Sequence, residues 1–288
     1  MSLKDWIKGR VAAFDAAVRP WAEASRLNAA AYEFLLFGLK QAWACLFGGA
    51  MLALLVGTHF LWPPSAPLAR YDVLVIAAVG LQGLLLATRL ERWEEAAVIA
   101  IFHVVGTIME LFKTDVGSWI YPEPAVFRIG GVPLFSGFMY ASIGSYIARA
   151  WRLFDFRFER HPPLWTLGIL GAAIYANFYA HHYIADLRVA LFAATALLLG
   201  RTQVDYRVWL VYRRMPLLLG LFLVASFIWI AENLGTLTAT WLYPHQTANV
   251  WSLVKFGKLG SWFLLLIVSY TLVAAVNRPL QRVRGEQT

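Results

Sequence analysis

Two stretches, "MELFKTDVGSWIYP" at 109–122 and "AENLGTLTATWLYP" at 231–244, each close a long apolar run with a carboxylate and an aromatic tail. Glu110 matches Glu232, Thr114 matches Thr236, Trp119 matches Trp241, Tyr121 matches Tyr243 and Pro122 matches Pro244, all at a spacing of 122 residues. An acidic side chain near hydrocarbon costs roughly 2.5 to 3.5 kcal/mol even on insertion scales, so both glutamates are expected to face the interior of a helix bundle. If they approach each other, repulsion and desolvation leave one of them holding a proton at neutral pH, which is what a membrane acid catalyst requires. Salt bridges to Lys113, Lys255 or Lys258 are the alternative that the same residues allow. The Trp-x-Tyr-Pro tails read either as the lining of a guest site or as interfacial aromatics followed by a helix breaker.

A second polar cluster lies in "IYANFYAHHYIADLR" at 174–188. His182 and Asp186 are four apart and would share a helical face, His181 would point about 100° away, and Asn177 would sit one turn earlier. Imidazole and carboxylate at that spacing can relay a proton or hold a divalent metal, with His181, His182 and Asp186 as its candidate ligands. A polar helix end at the membrane interface has the same composition. The candidate catalytic groups are therefore Glu110, Glu232, His182 and Asp186. Candidate substrate contacts are Trp119, Tyr121, Trp241 and Tyr243, whose π faces can stabilise positive charge, with Asn177, Asn233, Lys113, Arg188 and Lys258 tuning the carboxylates or meeting a headgroup. His103 and His245 could contribute from neighbouring elements.

What must position these residues follows from composition. Hydrophobic residues make up 60% of the chain, charged residues 15%, and mean hydropathy is +0.59, too apolar for a soluble globule to cover its surface. An all-α, polytopic membrane bundle is the expectation. The formal charge of +8 does not point to nucleic acid, because the basic residues are scattered among short loops instead of forming one stripe. Cys45 is the single cysteine, so neither an internal disulfide nor a cysteine metal site can be built, and it reads as a small buried filler.

Eight apolar runs approach spanning length, near 34–60, 71–88, 94–112, 132–152, 164–183, 187–201, 216–233 and 254–275. The sixth is short, and a helix continuing through "RTQVDYRVWLVYRR" would extend it. With these spans, eighteen of the twenty-five Lys and Arg residues fall on one side, including both termini, which makes that side cytoplasmic. Glu110 and Glu232 then reach the opposite side together. Four-plus-four parallel halves, about 34–160 and 161–276, are expected, with "GSY" at 144–146 matching "GSW" at 260–262. Residues 1–30 carry no cleavable leader pattern and read as a basic amphipathic helix on the cytoplasmic surface or packed against the bundle, and 277–288 as a cytoplasmic tail.

The runs "GSWIYPEPAVFRIGGVPLFSGFMYASIGSYIARAW", "IYANFYAHHYIADLR", "FIWIAENLGTLTATWLYP" and "VKFGKLGSWFLLLIVSY", in that order, resemble the bacterial integral membrane family known as domain of unknown function 817, over about residues 30–276. That resemblance implies a multi-pass protein of the bacterial inner membrane and no assigned chemistry. Glu110, Gly117, Tyr121 and "GGVPL" at 130–134 are more distantly similar to membrane carotenoid hydratases and cyclases, which implies an isoprenoid substrate.

Three functions fit. An intramembrane enzyme would use a glutamate to protonate an isoprenoid or other lipid near the extracytoplasmic side. A transporter or channel would bind a cation or proton at the same acids. A non-enzymatic membrane partner would dock another protein on its outer polar face. The gathering of ionisable residues at one end of the spans favours the enzyme, with membrane lipids and a hydrophobic small molecule as its partners and oligomeric state open.

Overall fold

A computed structural model describes residues 3–63, 65–246 and 250–285. Among these residues ten helices run in chain order: α1 Leu3–Glu23, α2 Arg26–Ala44, α3 Leu46–Leu61, α4 Arg70–Ala87, α5 Trp93–Asp115, α6 Phe135–Leu153, α7 Leu164–Ala180, α8 Arg188–Leu199, α9 Leu217–Leu237 and α10 Gly257–Gly285. All eight expected apolar runs are helical, the first as the pair α2 and α3, bent by 70° at Cys45. Cys45 is exposed at that bend and is not the buried filler expected of it.

On length and composition four helices among the described residues could cross a membrane (α4, α5 from Glu95, α9 and α10 to Val276), or five if the bent pair counts as one span. This is fewer than eight for physical reasons. α8 has 12 residues, about 18 Å of helix, and α7 has 17, both short of a full hydrocarbon core. α6 carries Arg149 and Arg152 within its length. Large apolar side chains point outward along several helices, such as Leu61, Ile169, Leu197 and Phe227, as an apolar solvent would allow.

The fold is not purely helical. β1 (Arg128–Ile129) and β2 (Val132–Pro133) form a small hairpin, while β3 (Arg157–Glu159), β4 (Gln203–Arg207) and β5 (Tyr212–Pro216) form an antiparallel sheet in that order. The expected helical extension over 201–214 is thus a β-hairpin. Its β-branched and aromatic residues alternate with charged ones, a period-two pattern. Arg214 ties the sheet together, donating to Asp205 at 2.7 Å and Glu159 at 2.6 Å.

The main core is made by α5, α6, α7, α8, α9 and α10 around residues such as Leu167, Leu266, Ile267 and Val273. α5 and α6 approach closely where Gly106 faces Tyr140. A Cβ at that glycine would lie 2.7 Å from the tyrosine ring, so glycine is what brings Tyr140 within reach of the end of α5. α1 rests on α2, with Tyr32 donating to Asp15 at 2.7 Å, while Trp6, Val11, Phe14 and Trp21 stay exposed along its length. The segment expected as a C-terminal tail continues α10 to Gly285, and 286–288 lie outside the described residues.

Candidate functional site

Glu110, on the last turns of α5, is 3% exposed and accepts three hydrogen bonds: from Trp119 Nε1 and Tyr121 OH on one oxygen and Tyr140 OH on the other, each 2.7 Å. Glu232, near the end of α9, is 4% exposed and accepts from Tyr243 OH and Trp262 Nε1. The spacings repeat: each tyrosine of the tail follows its glutamate by 11 residues, and Tyr140 and Trp262 each follow by 30. Among the described residues neither carboxylate has a cation within 4.0 Å, so neutral donors, not salt bridges, satisfy both.

The two clusters touch. Ile120 N–H donates to Leu242 O and Leu242 N–H donates to Ile120 O, both at 2.9 Å, a reciprocal bridge between residues also 122 apart. Ring centroids of Trp119 and Tyr243 lie 6.1 Å apart, and those of Tyr140 and Trp262 likewise 6.1 Å. Each glutamate therefore braces an aromatic that packs on an aromatic held by the other.

Beside this wall opens a pocket of about 300 Å³ lined by Trp119 and Tyr243, by Lys113 of α5, by Asn177 and His181 at the end of α7, and by Arg188, Lys255 and Lys258. Lys258 Nζ lies 5.0 Å from the centroid of Trp119 and 4.4 Å from that of Tyr243. Lys113 Nζ lies over Phe178 at 4.2 Å and contacts His182 Nε2 at 2.8 Å. Asp186 pairs with Arg188 at 2.5 Å, and hydrogen bonding from Arg188 holds its carboxyl well below the usual range, at about 2.

Residues 33–270 match the family described as "Protein of unknown function (DUF817)". The chain belongs to the DUF817 family. The match takes in both glutamates and the pocket and leaves α1 outside. "Uncharacterized protein YoaT" of Bacillus subtilis (strain 168) is 42% identical over 246 residues, covering 85% of this chain and 92% of that protein. Among solved structures, a cross-linked trimer of MvINS is similar at 13% identity and a TM-score of 0.44, covering 65% of this chain and 95% of that one.

Of the residues singled out from the sequence of this DUF817 protein, the pocket gathers Trp119, Tyr243, Lys113, Asn177, His181, Arg188, His245, Lys255 and Lys258. Glu110 and Glu232 stand behind its aromatic wall and are not part of its lining. Tyr121 and Trp241 do not line it; they pack between the apolar cluster of Leu55, Tyr71 and Phe135 and the wall of Trp119 and Tyr243. Asn233 is a strut, donating to Trp229 O and accepting from Val254 N–H at 2.9 Å. The expected helical face of His182 and Asp186 does not form, because α7 ends at Ala180 and Asn177 draws the chain round, its Oδ1 accepting Leu187 N–H at 3.0 Å. His181 turns its Nδ1 to Asn177 O, and among the described residues no group of three His, Cys, Asp or Glu side chains could hold a metal.

Three features were missed. Tyr140 sits 122 residues before Trp262 and does the same task, whereas Tyr146 of the "GSY" motif donates to Gln41. Arg149 counts as a loop charge in the sequence, yet its side chain is 0% exposed and lies 3.4 Å from Glu91, which also accepts from Gln82. The start of α4 is a latch: Arg70 grips Glu123, Tyr71 OH donates to Thr240 O at 2.7 Å, and Asp72 accepts Val126 and Phe127 N–H.

Proposed function

We propose that this protein is an inner-membrane enzyme that takes a lipid-like molecule into the pocket at the extracytoplasmic end and acts on it by acid–base chemistry. The observation that carries the reading is that Tyr243 forms part of the pocket wall while its hydroxyl is hydrogen-bonded to buried Glu232. A proton can pass between that carboxyl and a guest through the phenol, with Glu110 and Trp119 forming the companion side. The likeness of Glu110, Gly117, Tyr121 and the 130–134 segment to carotenoid hydratases and cyclases favours an isoprenoid as the apolar part of the substrate.

The architecture proposed with it is eight membrane segments in four-plus-four parallel halves, both termini cytoplasmic. The reciprocal Ile120–Leu242 bridge supports this, since equivalent residues pair with each other only where a two-fold axis passes between them. The Tyr140–Trp262 contact meets the same condition.

The test is Glu110→Gln and Glu232→Gln in full-length protein, with the copurifying lipid extract read by mass spectrometry against wild type. Loss of the converted lipid in both, with folded protein retained in the membrane, is expected. Unchanged conversion in both ends the acid–base reading. A transport function is favoured by one observation, the fully buried Arg149–Glu91 pair nine residues along α6 from Tyr140. Substrate-dependent proton or cation flux in sealed vesicles would establish it in place of the enzyme.

A further inference from the structure

The pocket concentrates more positive charge than its neighbours neutralise. Lys113, Arg188, Lys255 and Lys258 all line it, and among the described residues no aspartate or glutamate does. Arg188 has Asp186 as a partner. Among the described residues, no carboxylate lies within 4.0 Å of the ammonium groups of Lys113, Lys255 or Lys258. Lys113 is nevertheless 3% exposed. The groups that hold Lys113 and Lys258 are neutral: the rings of Trp119 and Tyr243 for Lys258, and the ring of Phe178 and the imidazole of His182 for Lys113. Aromatic faces and an imidazole fix an ammonium in place but leave its charge to act on whatever enters the cavity.

We propose that Lys113, Lys255, Lys258 and Arg188 form a binding site for a phosphate-type group, a multiply charged oxyanion seated against Trp119 and Tyr243. The inference rests on the reading that a lipid-like guest occupies this pocket, and it names the chemistry of that guest's polar end. Three ammonium groups with no carboxylate within 4.0 Å among the described residues, beside one guanidinium, call for more than the single charge of a carboxylate. Compact ammonium charges around a cavity, with one guanidinium fork beside them, suit the several oxygens of a phosphate monoester or diphosphate. A divalent metal is disfavoured, since the same cations would repel it. Asn177 and Ser261 add neutral hydrogen-bonding groups to the lining, and Ser261 Oγ already accepts from Arg188 at 3.3 Å.

The comparison with positions 122 residues earlier strengthens the case. Asn177, Gly257, Lys258 and Ser261 correspond at that spacing to Leu55, Phe135, Ser136 and Met139. Leu55, Phe135 and Met139 belong to the apolar cluster that packs Tyr121 and Trp241. At corresponding places the chain therefore has a dry packed core and a cationic cavity.

The experiment measures binding by isothermal titration to the full-length protein in nanodiscs of uncharged-net phosphatidylcholine, with farnesyl phosphate, farnesol and inorganic phosphate as probes. Farnesyl phosphate is expected to bind, farnesol at least about tenfold more weakly, and Lys258→Gln and Lys113→Gln to weaken the phosphate about ten- to hundredfold each, the range for a lost charge-assisted hydrogen bond. Lys258→Arg, which keeps the charge, should restore most of it. If Lys258→Gln does not fold, Lys255→Gln, altering an exposed side chain, carries the same expectation. Competition by inorganic phosphate at comparable affinity assigns the site to free phosphate; failure to compete assigns it to a lipid headgroup, and both sustain an oxyanion site. Equal binding of farnesol and its phosphate, or unchanged affinity in the folded lysine variants, overturns it. Because the readout is binding, loss of the anion site is distinct from failure of the catalytic reading, which the glutamate variants test by lipid conversion.

Discussion

The surroundings of Tyr121 and Trp241 and those of Tyr243 and Trp119 are built from similar parts and finished differently. On the first side the far edge of the Trp241 indole meets α9, where a Cβ at Gly235 would come 2.1 Å from it, and its neighbours include Leu55, Tyr71 and Phe135. On the second, the residue 122 positions before Gly235 is Lys113, Trp119 turns its Nε1 to Glu110, and the neighbouring space is an open cationic pocket. The first side is also locked by the latch at the start of α4, where Arg70 and Asp72 hold the 123–127 loop. The difference teaches that one carboxylate–aromatic unit can serve as scaffold or as the wall of a site. Glycine against lysine, and leucine against asparagine, decide which.

Breaking the packed side should cost the most. Phe135 is fully buried among Tyr71, Tyr121 and Leu55, so Phe135→Ala is expected to destabilise by about 3–5 kcal/mol, read as a lowered midpoint of chemical denaturation in detergent. Gly235→Ala comes next. The methyl group collides with Trp241, and forcing the indole aside costs about 1–3 kcal/mol by the same measurement. A near-wild-type midpoint for both variants would mean that this side is as loose as the pocket, and the contrast between the two regions would fail.

Much of the frame was legible before any coordinates. The apolar runs mark every helix from α2 to α10, and the paired Glu, Trp and Tyr at constant spacing mark the two carboxylate clusters. What was hidden has physical causes. Tyr140 is hidden by Tyr146, six residues on, because the "GSY" and "GSW" motifs resemble each other at a spacing different from the one that pairs Tyr140 with Trp262. Arg149 looks like a topology signal until Glu91, 58 residues earlier, is brought against it by the packing of α6. The His182–Asp186 pairing assumed a helix that Asn177 ends by capturing Leu187, a contact across ten residues that helical periodicity cannot express.

On the open side, removing charge should hardly lower stability. Lys258 has no carboxylate within 4.0 Å among the described residues and stands among three other cationic side chains, so Lys258→Met relieves like-charge repulsion and replaces the lysine stem with an apolar one of similar length. A midpoint within about 0.5 kcal/mol of wild type, or above it, is expected.

The smallest effect concerns Asp186, whose carboxyl lies at about 2 because Arg188 donates to it. A carboxyl depressed on folding contributes stability above its unfolded range, and that contribution is lost as pH falls through the folded value. Between pH 7 and pH 5 the Asp186–Arg188 pair should therefore stay intact, and Asp186→Asn should lower the midpoint by the same small amount at both. The pair is partly solvent-exposed, so salt will screen it. Below pH 4 the gap between wild type and Asp186→Asn should close as the wild-type carboxyl takes up its proton. A gap that closes already between pH 7 and pH 5 would show that Arg188 is not holding Asp186 ionised, and that Arg188 stands free to add its full charge to the pocket.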